Sequence, residues 1–318
     1  MGAKLDTRAI IINQYGGKEQ LKESTVTLPE LKKNQVLVNV QATSINPIDW
    51  KLRQGYLQQK YPWEFPIILG WDVAGVIEEV GEDVTQWKIG DQVFARPATT
   101  RFGTYADHTI IDADLLVKIP ANVSYKAAAA VPLAGLTAYQ VLFDHGKLKA
   151  GQKVLIHAGS GGVGTFAIQL AKLQGAYVYT TASKKNHDLL KSLGADEIID
   201  YHTTDFAKVV SQADLVVDAL GGSDMQQKSM DVLKPGGYLI SLGSIEDESL
   251  AKEKQINAKG IWLDENSEQL QALADYMETS KLKSVIATTY PLTQKGIYQA
   301  HELSETNHAV GKIVIDNH

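Results

Sequence analysis

The sequence predicts an α/β protein of two parts: a doubly wound parallel sheet, and a mainly β domain built from both chain ends. Strand- and helix-sized patterns alternate between positions 153 and 242, as right-handed βαβ units do. Short β-branched runs punctuated by Gly70, Gly81, Gly90 and Gly103 fill the first third. After a last central helix the chain returns to strand-like residues ending in Lys312-Ile313-Val314-Ile315, which are expected to rejoin the first domain.

In order, strands are expected over 7–13 and 35–45, the second carrying Val36-Leu37-Val38-Asn39-Val40, then over 72–80, 91–95 and 105–111. Only a turn of helix is expected between Pro47 and Gly55. Beyond Pro120 the texture changes, with an alanine-rich helical stretch opening at Ser124-Tyr125-Lys126-Ala127 and a second helix over 136–143. A strand from Lys153, a helix over 164–174, a strand over 176–181, a helix over 184–193 and a strand over 197–199 follow. The alternation continues with a strand over 214–219, a helix over 224–233 and a strand over 238–242. Leu270, Leu273, Ala274 and Met277 at helical spacing predict a helix over 267–279. Residues 284–318 read as strands. The expected division is 1–122 for the first part of the β domain, 123–280 for the parallel-sheet domain and 281–318 for the return segment.

Hydrophobic residues at 44% and charged residues at 21% suit a globular chain rather than a disordered one. The formal charge of −6 argues against a general nucleic-acid binder, which is usually basic. The longest apolar runs are strand-sized, too short to span a membrane. Ala9-Ile10-Ile11-Ile12 is too short for the core of a signal peptide, so a cytoplasmic location is expected. With no cysteine in the chain, disulfides, thiolate nucleophiles, iron–sulfur clusters and cysteine-ligated zinc are excluded. The 8 histidines are scattered without ligand spacing. Among them, His157 is expected to be a packing residue at a strand end.

The most informative segment is Lys153-Val154-Leu155-Ile156-His157-Ala158-Gly159-Ser160-Gly161-Gly162-Val163-Gly164. Gly159, Gly161 and Gly164 fit G-x-G-x-x-G, a weak signal alone. A buried strand before it and an amphipathic helix after it (Phe166, Ile168, Leu170, Leu173) make it specific for a dinucleotide. A pyrophosphate needs close backbone approach and free N–H groups, which a glycine turn at a helix N-terminus supplies. Ser160, Gly161, Gly162 and Val163 are the expected cradle.

The next strand ends in Ala182-Ser183-Lys184-Lys185, without the carboxylate that usually accepts from a free ribose 2′-hydroxyl. A hydroxyl and two cations stand there instead. Charge-assisted bonds to a 2′-phosphate are strong, so NADP(H) is expected, with Ser183 and Lys184 as its discriminating contacts. The loops Asp218-Ala219-Leu220-Gly221 and Ser241-Leu242-Gly243-Ser244 follow later strands, where ligands sit on open α/β sheets. Backbone contacts from Leu220, Leu242 and Gly243 are expected.

Several short motifs occur in fixed order: Asn46-Pro47-Ile48-Asp49, Arg53-Gln54-Gly55-Tyr56, Gly70-Trp71-Asp72-Val73-Ala74-Gly75-Val76, Val80-Gly81 and Gly90-Asp91-Gln92-Val93. Pro132-Leu133-Ala134-Gly135-Leu136-Thr137-Ala138-Tyr139, the glycine loop, Leu193-Gly194-Ala195-Asp196 and Gly311-Lys312 complete the series. Together they resemble the medium-chain dehydrogenase/reductase superfamily, specifically its zinc-independent quinone oxidoreductase (zeta-crystallin-like) branch, over nearly the whole chain. The resemblance implies a GroES-like domain from both chain ends, a Rossmann domain between, and a nicotinamide cleft at their junction. It also implies a homodimer through paired Rossmann sheet edges, with residues 259–263 as the matching stretch.

Zinc alcohol dehydrogenases of the superfamily ligate metal through two cysteines and a histidine. Asn46 and Trp71 stand in the first two of those places, and the structural zinc lobe is missing, so the resemblance implies a metal-free enzyme. Without a Lewis acid to stabilise an alkoxide, hydride delivery to a quinone or an α,β-unsaturated carbonyl is the easier reaction. Charge then develops on the acceptor oxygen, which needs hydrogen-bond donors, and a proton comes from water or a tyrosine.

By the resemblance, Asn46 lies near the nicotinamide ribose and the acceptor carbonyl, Thr137 reaches the nicotinamide side, and Tyr201 lies near the adenosine phosphate. Lys312 is expected near the cofactor's phosphate or nicotinamide. Tyr56 is the candidate proton or hydrogen-bond donor. Tyr56, Trp63 and Trp71 are the expected acceptor pocket, with the Trp71 indole narrowing it. The competing reading, an NADPH-binding redox sensor or structural protein with little turnover, shares the glycine loop. Asn46, Tyr56 and Thr137 favour the enzyme.

Overall fold

Asn46 stands at the turn between the longest strand of the molecule and its first helix. In the computed structural model, which describes residues 4–318, the chain begins with β1 (Asp6–Ile12), β2 (Lys22–Thr27) and β3 (Gln35–Ser44). Helix α1 (Pro47–Arg53) follows Asn46 directly. Proline at the first helical position has its φ already set and loses no hydrogen bond there. The carboxylate of Asp49 reaches back to the Asn46 backbone N–H at 3.0 Å, the return half of a capping box. These local signals make a full helix where only a turn was expected. Next come β4 (Ile67–Ile68), β5 (Val73–Val80), β6 (Gln92–Ala95), β7 (His108–Asp112) and β8 (Val117–Lys118). Helix α2 (Tyr125–Ala129) is capped by Ser124, whose hydroxyl accepts from Ala127 N.

Helix α3 (Pro132–Tyr139) runs into a π-helical turn, Gln140–His145. The alternating segment then gives β9 (Lys153–Ile156), α4 (Gly162–Leu173), β10 (Tyr177–Ala182), α5 (His187–Ser192), β11 (Glu197–Asp200), β12 (Ala213–Asp218), α6 (Ser223–Val232) and β13 (Leu233–Ser241). Two elements close it that were not expected as such, α7 (Glu248–Glu253) and β14 (Asn257–Gly260). The expected edge stretch at 259–263 therefore begins earlier, and only its first residues are strand. Helix α8 (Ser267–Glu278), strand β15 (Ile286–Pro291), helix α9 (Gln294–Glu305) and strand β16 (Lys312–Asp316) complete the chain.

Helix α9 corrects the reading of 284–318 as strands. Its buried face is Gly296, Ile297, Ala300 and His301. Half of that face is glycine and histidine, so the apolar period that announces a helix is diluted. Thr293 still caps it, its hydroxyl accepting from Gly296 N at 3.0 Å.

The chain divides into two compact units, Met1–Leu133 with Glu265–His318, and Ala134–Asp264. The second is narrower than 123–280, because α2 packs on β3 and β5, and α8 on β8. It holds a six-stranded sheet in the order β11-β10-β9-β12-β13-β14. Every pairing is parallel. This order reverses direction between β9 and β12, which is the doubly wound dinucleotide-binding topology and leaves its ligand crevice at the strands' carboxyl ends. Leu155, Ile199, Val216 and Leu239 lie in its core.

The first unit contains a seven-stranded sheet ordered β15-β16-β3-β5-β6-β8, with β7 also on β3, and a three-stranded sheet β2-β1-β4. Strand β16 joins antiparallel to the end of β3, Val314 opposite Ser44, so the return segment does rejoin the first part. Val36, Val38, Val40, Val73 and Val93 form one core. Ile10, Ile12, Leu52, Ile67, Trp71, Tyr105 and Ile297 belong to another. Each such fully buried aliphatic side chain contributes roughly 1.5–3 kcal/mol, which holds the strand ends still enough to present polar groups. Among the described residues, no helix is long and apolar enough to cross a membrane.

Candidate active site

In the parallel-sheet unit the glycine loop connects β9 to α4. Ala158 takes a left-handed conformation (φ 54°) to make the turn. Its N–H donates to Thr181 Oγ1 at 3.2 Å, and Gly159 N donates to Thr181 O at 3.1 Å, stapling the loop to β10. A Cβ on Gly159 would collide with the Thr180 side chain, and one on Gly164 with Ala158 O. The glycines are thus required by close packing of helix against strand. Gly161 caps α4, so the N–H groups of Gly162, Val163 and Gly164 project without intrahelical acceptors, as in any first turn. The N-terminus of this 12-residue helix adds a positive dipole end.

His157, at the end of β9, is fully buried against Phe206, its ring centroid 4.8 Å away. Ser229 Oγ donates to Met225 O, so His157 Nε2 donates to Ser229 at 3.0 Å. Burial pushes its pKa down to about 4, and the ring is neutral packing material.

Ser183 and Tyr201 meet at the carboxyl ends of β10 and β11, Oγ to OH at 3.0 Å. His202 joins them, with Nε2 3.3 Å from Ser183 Oγ and its ring 4.2 Å from that of Tyr201. Lys184 lines the adjoining cavity with His187, Thr203, Thr204 and Asp200. Asp200 accepts from the His202 backbone N–H at 3.1 Å. The sequence reading passed over His202 because a lone histidine carries no spacing signal.

The loops after β12 and β13 are tied together by one carboxylate. Asp218 accepts from Leu220 N (3.1 Å), Gly221 N (2.8 Å), Gln226 Nε2 (2.9 Å) and Ser241 Oγ (3.0 Å). Leu242 N donates to Asp218 O, and Gly243 N to Ser241 Oγ. The N–H groups of Leu220, Leu242 and Gly243 are therefore all used internally, which leaves their carbonyls and side chains for any ligand.

The first unit holds a buried polar cluster around Asn46. Lys312, at the start of β16, donates from Nζ to Ile45 O at 2.7 Å and, over a shorter distance, to Asn46 Oδ1. Asn46 Nδ2 donates to Asp72 Oδ2 at 2.7 Å, and Ser44 Oγ donates to the same oxygen at 2.7 Å. Lys312 Nζ lies 3.7 Å from that oxygen. The other Asp72 oxygen accepts from Leu133 N at 2.8 Å, in the first turn of α3. An ammonium only donates and a carboxylate only accepts, so these two partners fix which end of the Asn46 amide is oxygen and which is nitrogen. One N–H of the amide remains beyond these bonds.

Burial pulls the Lys312 pKa down, with Asp72 and Asp49 opposing. Burial also pushes Asp49 up to about 7, against the Tyr105 and Asn46 hydrogen bonds that favour the carboxylate. Asp72 and Asp49 are not among the expected site residues, since a single acid at the start of a strand or in a short turn carries no spacing signal.

Thr137 is buried on α3. Tyr56 follows α1 and is 70% exposed. Trp71 is fully buried, its Nε1 donating to Thr100 O at 3.1 Å. It belongs to the core behind Trp63, which stacks on it at 6.1 Å and on Tyr61 at 4.9 Å. Trp63 and Tyr61 are half-buried, whereas Trp71, expected to narrow a pocket, is a fully buried core residue.

The chain matches the family described as Alcohol dehydrogenase GroES-like domain over residues 32–121 and that described as Zinc-binding dehydrogenase over 193–315. The groups around Asn46 do not suit zinc: an amide, an indole N–H already given to a carbonyl, an ammonium beside Asp72, and an Asp49 carboxylate already bonded to Tyr105 and the Asn46 N–H. An Arabidopsis thaliana NADPH-dependent alkenal/one oxidoreductase is 35% identical, over 98% of this chain and 79% of that protein. The solved quinone oxidoreductase of Coxiella burnetii is 38% identical with a TM-score of 0.91, over 99% of this chain and 100% of that one. The Escherichia coli quinone oxidoreductase, solved with NADPH, is 28% identical with a TM-score of 0.86, over 97% and 99% of the two chains. The chain belongs to the quinone oxidoreductase branch of the medium-chain dehydrogenase/reductase superfamily.

Proposed function

We propose that this protein is an NADPH-dependent, metal-free reductase of quinones and α,β-unsaturated carbonyls. The observation that carries the reading is the orientation of Asn46, whose amide oxygen is taken by Lys312 and one N–H by Asp72. The amide can then offer only its remaining N–H, a donor suited to an acceptor carbonyl whose oxygen gains negative charge. Lys312 is engaged with Asn46 and Ile45, so its role is to set the amide and supply positive charge behind it.

When bound, NADPH supplies the hydride. Ser160, Gly161, Gly162 and Val163 would take its pyrophosphate, Gly162 and Val163 through first-turn N–H groups that have no intrahelical acceptor. Ser183, Lys184, Tyr201 and His202 would take the 2′-phosphate, and Thr137, Leu220, Leu242 and Gly243 the nicotinamide half. Water supplies the proton that completes the reduction. Buried polar groups held this rigidly need no reorganisation as charge develops, which is what the cluster contributes to rate. We also propose a homodimer through β14, one of the two outer strands of the parallel sheet, whose edge can pair with a second copy; a monomer in sedimentation velocity overturns it.

The test is NADPH oxidation over a panel of quinones, alkenals, cyclic enones and simple aldehydes, with and without chelator, for the wild type and Lys184→Ala. Turnover of the activated acceptors, unaffected by chelator, is expected. Loss of charge-assisted phosphate bonds raises the KM for NADPH by roughly tenfold in Lys184→Ala and leaves that for NADH unchanged. Saturable NADPH binding with no acceptor turned over would instead make the protein a cofactor-binding sensor. Turnover abolished by chelator would overturn the metal-free mechanism.

A further inference from the structure

A second set of buried polar side chains lies behind the Asn46 cluster. The guanidinium of Arg53, fully buried at the end of α1, donates from one nitrogen to Glu305 Oε1 at 2.8 Å and from another to His301 Nδ1 at 2.6 Å. Its Nε donates to Gly16 O at 3.2 Å. Arginine only donates, so His301 must accept at Nδ1 and carry its hydrogen on Nε2. That nitrogen lies 3.1 Å from the Tyr105 hydroxyl and donates to it. Tyr105 then has one direction left for its own hydrogen, to Asp49 Oδ2 at 2.6 Å. The same oxygen accepts the backbone N–H of Asn46. Every bond in this chain points one way, from Arg53 through His301 and Tyr105 to Asp49.

Such a chain has two conceivable uses, to carry a proton or to hold a position. An arginine at its head, which does not deprotonate in proteins, makes it unsuited to conduct protons inward. His301 is held neutral, with its pKa pushed down to about 3 by burial and by the Arg53 charge, and Tyr105 is pushed well above its usual range by burial and by Asp49. Both are fixed hydrogen-bond relays. The chain ends at the backbone N–H of Asn46.

We propose that Tyr105 and His301 are positioning residues of the reductase, a strut from Arg53 that fixes Asp49 and through it the Asn46 amide. The inference rests on Asn46 being the donor to the acceptor carbonyl. Misplacing a catalytic group by about 1 Å costs up to roughly 100-fold in rate, so losing the strut acts on kcat and not on cofactor binding.

The variants Tyr105→Phe, His301→Phe, His301→Gln, Asn46→Ala and Asn46→Ala/Tyr105→Phe test it, with kcat, KM for an enone, NADPH Kd by fluorescence and thermal unfolding measured for each. Tyr105→Phe and His301→Phe should lower kcat by about 10- to 100-fold with NADPH Kd within about twofold of wild type. Glutamine can accept from Arg53 and donate to Tyr105, so His301→Gln should recover most of the rate. Because the strut acts through Asn46, Tyr105→Phe should cost little more in the Asn46→Ala background. Should His301→Phe fail to fold, Tyr105→Phe, which removes a single oxygen, decides alone. Wild-type kcat in Tyr105→Phe, no rescue by glutamine, or additive losses in the double variant overturn the strut. Wild-type kcat in Asn46→Ala alone would instead show that the reading of Asn46 has failed.

Discussion

The two units grip their chemistry by different means. In the parallel-sheet unit the glycine loop presents backbone, and its shape is set by what is missing: no Cβ fits at Gly159 or Gly164. Thr181 holds it from the next strand, accepting from the Ala158 and Gly159 N–H groups. Around Asn46 the working groups are side chains collected from β3, α1, the entry to β5 and β16. They hold one another in place by donor and acceptor identity. A backbone site tolerates many side chains around it but no added volume. A side-chain site tolerates volume better than any change in which atom donates.

The largest expected effect comes from adding volume to the backbone site. Gly164→Val puts a branched side chain into the Ala158 carbonyl and the Gly159 backbone, forcing the loop off α4. NADPH affinity should fall by about 100-fold or more, since the pyrophosphate contacts and the helix N-terminus are lost together. Fluorescence titration checks it, and near-wild-type affinity would show that the loop is not the cradle.

A smaller effect compares the two units through their buried neutral histidines, His157 in one and His301 in the other. Their folded pKa values lie below the ordinary 6.5, at about 4 and about 3. Stability from keeping them neutral is present above pH 6.5 and is lost as pH falls towards those values. Asp49 works in the opposite sense: raised from 3.8 to about 7, it gains stability on acidification across that interval. Two histidines against one acid leave a net loss of about 1.4 kcal/mol per pH unit between 6.5 and 4. Urea unfolding should therefore give about 2 kcal/mol less at pH 5 than at pH 6.5, and His157→Gln should remove most of the difference. Equal stability at the two pH values would contradict the assignment of both rings as buried and neutral.

The same contrast explains what was legible in the sequence. The glycine loop between strand and helix could be read from residues 153–164 because glycine spacing, strand and helix lie side by side. Ser183 and Lys184 were legible as the end of the following strand. The Asn46 cluster was only half legible: Asn46 and Lys312 were marked by family motifs, but their contact spans 266 positions, and no local pattern joins them. Asp72 read as the start of a strand, and His301 hid on α9, whose glycine- and histidine-bearing face blurs the helical period. Trp71 misled in the other direction. Its place in the family motif suggested a pocket wall, whereas complete burial makes it a core residue under Trp63.

The most direct test of the donor role assigned to Asn46 is single-turnover hydride transfer to an enone in Asn46→Ala, measured beside NADPH Kd. Removing one donor to a developing oxyanion costs about 100-fold in rate. That fall, with Kd changed by less than about twofold, is the expected result. A transfer rate equal to wild type would contradict the role given to the amide that Lys312 and Asp72 hold in place.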